Sequence, residues 1–305
     1  MDPLISRYPW TSGRILVDQF HMVEALVIMG ILGLCVGFIA ALLGIGGGMV
    51  VVPCLYYIFT WTGIISDSPM HYAAGTSLMI MIATSVGAVV AHARRGDVVW
   101  SLTRRVLPGI SLGVICGVII ATIISGKILM LVFGAILLIV AIMMIFGFKA
   151  TAAREERIPR QRYLNLFGFV IGYKSGMLGV GGGAISVPWL TWMGLSQPKV
   201  SGTSSTFTFP AAVIGAAAFC VSGLVDANRP EVPFTIGYLF WPALPVAGLT
   251  SVVGTRFGAI FSSKVPGRLL RIIFGVILIG VSASMITSGF SPPESPTEDV
   301  KLPDS

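Results

Sequence analysis

The sequence predicts an all-α polytopic membrane protein made of two inverted-topology repeats, each with a glycine-broken helix segment, either re-entrant or paired. Three observations predict it. Of 305 residues, 55% are hydrophobic and 11% charged, with mean hydropathy +0.90, whereas a soluble domain carries about 25% charged residues. One phrase is written twice, GIGGGMVVVPCL over Gly44–Leu55 and GVGGGAISVPWL over Gly179–Leu190. Basic residues, finally, collect in alternate loops.

Residues 1–22 form a polar extension without an early apolar core, so no cleavable signal peptide is expected. Apolar runs at 25–43 and 45–61 flank the first glycine cluster, and runs at 73–93, 106–125 and 128–148 complete a first repeat over 23–148. A polar linker, 149–162, leads to runs at 164–178 and 180–194 around the second cluster. Runs at 203–222, 237–255 and 268–289 complete the second repeat over 163–289, and 290–305 reads as a disordered tail. Six runs reach the roughly 20 residues that cross about 30 Å of hydrocarbon. Those beside the clusters are shorter, which leaves the number of full spans open.

Further landmarks recur in order. Gly37 and Gly172 each precede their cluster by seven residues, Gly75-Thr76-Ser77 pairs with Gly202-Thr203-Ser204, and Gly96–Val99 pairs loosely with Gly223–Asp226. Late in each half, ILMLVFG ending at Gly134 matches LLRIIFG ending at Gly275.

Charge sets the relative orientation, because Lys and Arg accumulate in cytoplasmic loops. Windows 94–105, 149–162, 195–199 and 256–271 carry a net +11, while 1–24, 62–71, Lys127, 223–235 and 290–305 carry −5. All the basic windows share one side only if each broken segment enters and leaves on the same face. The repeats are then inverted, the location is the cytoplasmic membrane, and both termini lie outside. The net charge of +7 is accounted for by these loops, so no nucleic-acid partner is implied.

Within the clusters, glycine leaves the backbone unshielded and free to take positive φ. Pro53 and Pro188 suit the first turn of a new helix, which places exposed backbone ahead of a short helix beginning near each proline. A helix N-terminus carries partial positive charge and unpaired N–H donors, an anion site in the making. Gly/Pro-interrupted apolar segments at matching places in two halves point to a transporter's binding site. Packing alone is the competing reading; it suits Gly33/Gly37, Gly109/Gly113/Gly117 and Gly254/Gly258, spaced four apart.

The two Gly-Thr-Ser motifs are expected to open the next helices, their hydroxyls either capping N–H groups or joining the anion site. Lys174 is the one charge inside an apolar run. At bilayer centre it costs roughly 2.5–3.5 kcal/mol, so it faces a cavity or snorkels toward Arg162; both placements are open. His71 and His92 fall at the edges of predicted spans and read as interfacial, and Cys35, Cys54, Cys116 and Cys220 as buried apolar residues. No Asp or Glu lies in a predicted span, and no metal or nucleotide motif occurs. Enzymatic activity, cofactor and metal are therefore not expected.

On the two glycine phrases, the two Gly-Thr-Ser motifs, Arg94–Val98 and Phe274-Gly275, the chain over 25–289 resembles the TauE/SafE family of sulfite and organosulfonate exporters. The resemblance implies an all-helical permease for small sulfur-containing anions. The polar N-terminal extension, Lys174 and the long 226–236 loop depart from the family's usual pattern. The expected function is alternating-access transport of a small anion, sulfite or an organosulfonate. A channel-like anion pore, a transporter of a non-anionic solute and a structural scaffold stay open, as does a homo-oligomer. The expected substrate-binding set is Gly44, Gly46, Gly47, Gly48, Pro53, Thr76, Ser77, Lys174, Gly179, Gly181, Gly182, Gly183, Pro188, Thr203 and Ser204.

Overall fold

The computed structural model describes residues 12–43, 48–146, 159–227, 229, 232–262 and 267–290. Gly44, Gly46 and Gly47, most of the linker and residues 291–305 lie outside them. The first half holds α1 (Ser12–Leu43), α2 (Gly48–Thr62), α3 (Pro69–Arg94), α4 (Trp100–Ile123) and α5 (Gly126–Phe146). The second holds α6 (Gln161–Leu178), α7 (Gly183–Trp192), α8 (Gln197–Val225), a hairpin of β1 (Thr235–Ile236) and β2 (Leu239–Phe240), α9 (Ala243–Ser262) and α10 (Gly267–Phe290).

Helices follow from the medium, since hydrocarbon offers no partner for a backbone N–H or C=O. Among the described residues, five are long and apolar enough to cross a membrane: Pro69–Arg94, Trp100–Ile123, Gly126–Phe146, Pro198–Val225 and Ile272–Phe290. Val23–Phe38, Gly48–Thr62 and Ala243–Thr255 are shorter apolar stretches. Their outward faces carry Ile119, Ile123, Leu249 and Val276, all exposed, as lipid contact requires.

In lipid, apolar side chains gain little by meeting each other, so close backbone approach at small residues holds helices together. The α4/α6 seam is made this way from both sides. A Cβ on Gly113 would lie 2.8 Å from Tyr173 N, on Gly117 2.8 Å from Met177 N, and on Gly172 2.9 Å from Val114 N. Gly109, Gly168 and Gly176 press equally on the opposite backbone. The α1/α9 seam repeats the device, with Gly33 against Ala247, Gly37 against Ser251 and Gly254 against Phe38. Thus the landmark glycines Gly37 and Gly172 are both seam residues.

Helix directions obey a simple exchange. Contacts rise together along α4/α6 and along α1/α9, so both pairs are parallel. Along α3/α8 they run oppositely, Gly75 meeting Phe219, Leu78 meeting Gly215 and Asp97 meeting Gly202. Along α5/α10, Gly134 meets Ile286 and Ile145 meets Gly275, again antiparallel. Exchanging each helix of one half for its counterpart turns α1/α9 into α6/α4 and returns α3/α8 and α5/α10 to themselves.

Three boundaries differ from expectation. Helices α2 and α7 begin at Gly48 and Gly183, each five residues before its proline rather than near it. The glycines already supply a turn: Ile185 and Ser186 donate N–H to Gly182 O at 3.2 and 3.0 Å. Helices α3 and α8 begin at Pro69 and Gln197, so Gly-Thr-Ser lies inside them rather than opening them. A proline in the first turn of each starts the helix earlier. Finally, the apolar run at 237–255 opens not as helix but as the hairpin, Thr235 opposite Phe240 and Ile236 opposite Leu239. Gly237, at φ 58, makes its turn.

Candidate functional site

Helix α6 ends where Gly179 takes φ 69 and donates its N–H to Ser175 O at 3.0 Å. Two constraints demand glycine there, because a Cβ would also stand 2.5 Å from Ala74 Cα. Val180, Gly181 and Gly182 then carry the chain to α7. Its N-cap, Gly182, has no side chain to satisfy the first-turn donors.

The two repeated phrases meet at this break. A Cβ on Gly48, the first residue of α2, would lie 3.1 Å from Val180 Cα, 3.2 Å from Gly181 N and 2.7 Å from Met81 Sδ. A Cβ on Gly181 would strike Met81 Cε and come within 2.8 Å of Thr208 Cγ2. Met81 and Thr208 are counterparts, each four residues beyond the serine of its Gly-Thr-Ser motif. The start of α2 and the break before α7 thus share one place, with Met81 of α3 and Thr208 of α8 closing it.

Lys174 enters the same region. It is 8% exposed, and its Nζ donates to Gly181 O at 3.4 Å. Of its two open placements, the structure has the interior one. Lys174 also lines a small cavity whose other walls are apolar, among them Met49, Phe133, Leu137 and Val180. Ser204 Oγ and Ser186 Oγ of α7 share a hydrogen bond of 2.6 Å. Among the described residues, Ser77 Oγ and Ser175 Oγ are buried with no partner, an unusual state that costs free energy unless something else pairs with them. Pro53 is buried and Pro188 half-buried inside their short helices.

Thr76 and Thr203 do something different. Thr76 Oγ1 accepts from Phe240 N at 3.0 Å, and Thr203 Oγ1 accepts from Val99 N at 3.1 Å. Beside them, a Cβ on Gly75 would stand 2.6 Å from Tyr238 O, and one on Gly202 2.9 Å from Asp97 C. Each motif therefore grips the loop ahead of the other half's fourth helix.

His71, expected at an interface, is 4% exposed. Its Nε2 lies 2.9 Å from Ala121 O and 3.2 Å from Ile124 O at the end of α4, where helix carbonyls lack intrahelical donors. His92 is half-buried beside Asp97. Arg229 Nη1 donates to Tyr72 Oη, Thr235 Oγ1 and Gly237 O, while Tyr238 Oη donates to Asp226 Oδ2 at 2.5 Å. Burial and the adjoining Asp226 carboxylate raise the Tyr238 hydroxyl above its usual pKa.

The family profile described as "Sulfite exporter TauE/SafE" matches residues 29–285. The chain belongs to the TauE/SafE family. Similar proteins include a "Probable membrane transporter protein" of Haemophilus influenzae, 32% identical over 260 residues, covering 84% of this chain and 96% of that one. One from Methanocaldococcus jannaschii is 27% identical over 262 residues, covering 85% and 95%. Another, from Xylella fastidiosa, is 30% identical over 272 residues, covering 87% and 96%. It is thus a helical transmembrane protein of a transporter family.

Within this TauE/SafE chain, sequence reasoning passed over Met81, Thr208, Ser186 and Ser175. The repeat could have found the first pair, since the Gly-Thr-Ser motifs fix a common register on α3 and α8. Ser186 stands inside the doubled phrase, but opposite it the first half has Val51, so comparing halves hides it.

Proposed function

We propose that this protein moves a small anion, sulfite or an organosulfonate, across the cytoplasmic membrane by alternating access. The observation that carries the proposal is the meeting of the two glycine breaks, Gly48 against Val180 and Gly181, with a buried ammonium, Lys174, on the second. The N–H groups at the very start of α2 and α7, those of Gly183 and Ala184 in α7, have no intrahelical acceptor, and together with Lys174 they favour negative charge. Ser77 and Ser175, buried without partners among the described residues, add hydroxyls to the same end. Substrate would bind where Met81 and Thr208 now touch Gly181.

Two inverted repeats account for the exchange of helix pairs, because inversion makes counterparts such as α3 and α8 antiparallel. The charge distribution favours both termini outside. Rocking of the halves about the meeting point then exposes it to each side in turn. Proteoliposomes containing purified protein and loaded with sulfite test the reading: saturable efflux, competed by organosulfonates and absent from empty liposomes, is expected. Non-saturating flux would favour a channel, and no anion flux at all would reject the proposal.

A further inference from the structure

The glycine and threonine of each Gly-Thr-Ser motif hold a loop, and the two grips are copies of each other. Glycine admits a carbonyl (Tyr238 or Asp97), and threonine accepts the N–H two residues further on (Phe240 or Val99). Each bond crosses between halves: α3 holds the second half's loop and α8 holds the first half's. The grips also lie at opposite ends of α3. Thr76 stands near its start, Val99 follows its end, and Thr76 to Arg94 spans 18 residues, about 27 Å of helix. That is close to the hydrocarbon thickness.

We propose that Thr76 and Thr203 are the latches of two opposed gates, one at each membrane face. The proposal rests on the alternating-access reading above. Halves that rock must part at one end while staying closed at the other, and these are matched bonds joining the halves at the two ends. Both bonds are made here. Each latch has its own braces. Near Thr76, Arg229 donates to Gly237 O at 2.9 Å and Tyr238 to Asp226. Near Thr203, His92 Nδ1 lies 3.5 Å from Asp97 Oδ2, Thr103 Oγ1 donates to Val99 O at 3.3 Å, and Thr103 and Thr206 share a hydrogen bond of 2.7 Å.

An interhelical hydrogen bond within a bilayer shifts an equilibrium roughly threefold to fifteenfold. The test uses full-length protein with Cys35, Cys54, Cys116 and Cys220 replaced and one reporter, Met81→Cys, between the glycine breaks. A membrane-impermeant thiol reagent is applied to each face of oriented vesicles. Thr76→Val should raise the labelling rate from one face about threefold to tenfold and lower it from the other, and Thr203→Val should do the reverse. Gly75→Ala and Gly202→Ala, which push the same loops away without touching a hydroxyl, should each reproduce the sign of their neighbouring threonine. Thr→Ser at either position keeps the acceptor and should leave rates at the parental value.

Shifts of the same sign in both valine variants, or none, with a reporter still reached alternately from each face, would overturn the latches and leave alternating access standing. A reporter reached from neither face in any variant would overturn both.

Discussion

The Lys174 ammonium donates to the carbonyl oxygen of Gly181 across 3.4 Å. Seven residues separate them, so the charge near the end of α6 is tied to the backbone of the break that ends it. One carbonyl leaves two of the three ammonium donors for something else.

Lys174→Met removes the charge and keeps the length. We expect the KM for sulfite flux to rise severalfold, since about 1.4 kcal/mol of lost attraction is tenfold in affinity. Lys174→Arg should retain part of it, limited by the wider guanidinium. An unchanged KM in the Met variant, measured at equal reconstituted protein, would remove the lysine from the site.

Gly181→Ala places a methyl against Met81 Cε and Thr208 Cγ2. Flux should fall at least about tenfold with normal membrane insertion. Because the struck atom on Met81 is the end of a flexible side chain, adding Met81→Ala should restore part of the flux. Gly87→Ala, with nothing within 4 Å of its added Cβ, serves as the silent control.

Ser77 Oγ is buried without a partner among the described residues, and an unsatisfied group of this kind costs about 1–3 kcal/mol. Ser77→Ala should therefore raise the melting temperature of substrate-free protein in detergent. If the hydroxyl serves the anion, KM rises in the same variant. Greater stability with unaltered KM would make Ser77 a bystander.

Glycine in the α4/α6 seam faces backbone, which cannot swing aside. Gly113→Val or Gly172→Val should cost about 1–3 kcal/mol by overpacking, read as a lower melting temperature and reduced folded yield. Equal stability of Gly113→Val and the parent would show that the seam can open without loss.

Membrane orientation is read by single cysteines at Ser12 and Thr151 in a cysteine-free background. An impermeant reagent on intact cells should label position 12 and spare position 151. The opposite pattern would place the N-terminus in the cytoplasm.

Much of the fold was legible because the bilayer forces it. Apolar runs located the helices, and the glycines spaced four apart at Gly109, Gly113 and Gly117 foretold a seam, though not that Gly168, Gly172 and Gly176 would answer them. The hairpin at Thr235–Phe240 was hidden, since Tyr238, Leu239 and Phe240 are as apolar as the helix they precede. Gly-Thr-Ser read as a helix start because its hydroxyls suit caps. Their partners, Phe240 and Val99, lie 164 and 104 residues away, a distance no local pattern reports. Lys174 stood out as a lone charge, but only three dimensions could choose between cavity and surface.

The α1/α9 seam carries a consequence for biosynthesis. Gly37 packs on Ser251, so the small-residue face of α1 meets its partner only after more than two hundred further residues have been made. At about 5–20 residues per second, α1 waits in lipid on the order of ten to forty seconds with that groove unfilled. Helix α4 waits far less for α6. A ribosome stalled before α9 therefore leaves a chain whose first helix is inserted with that face unmatched.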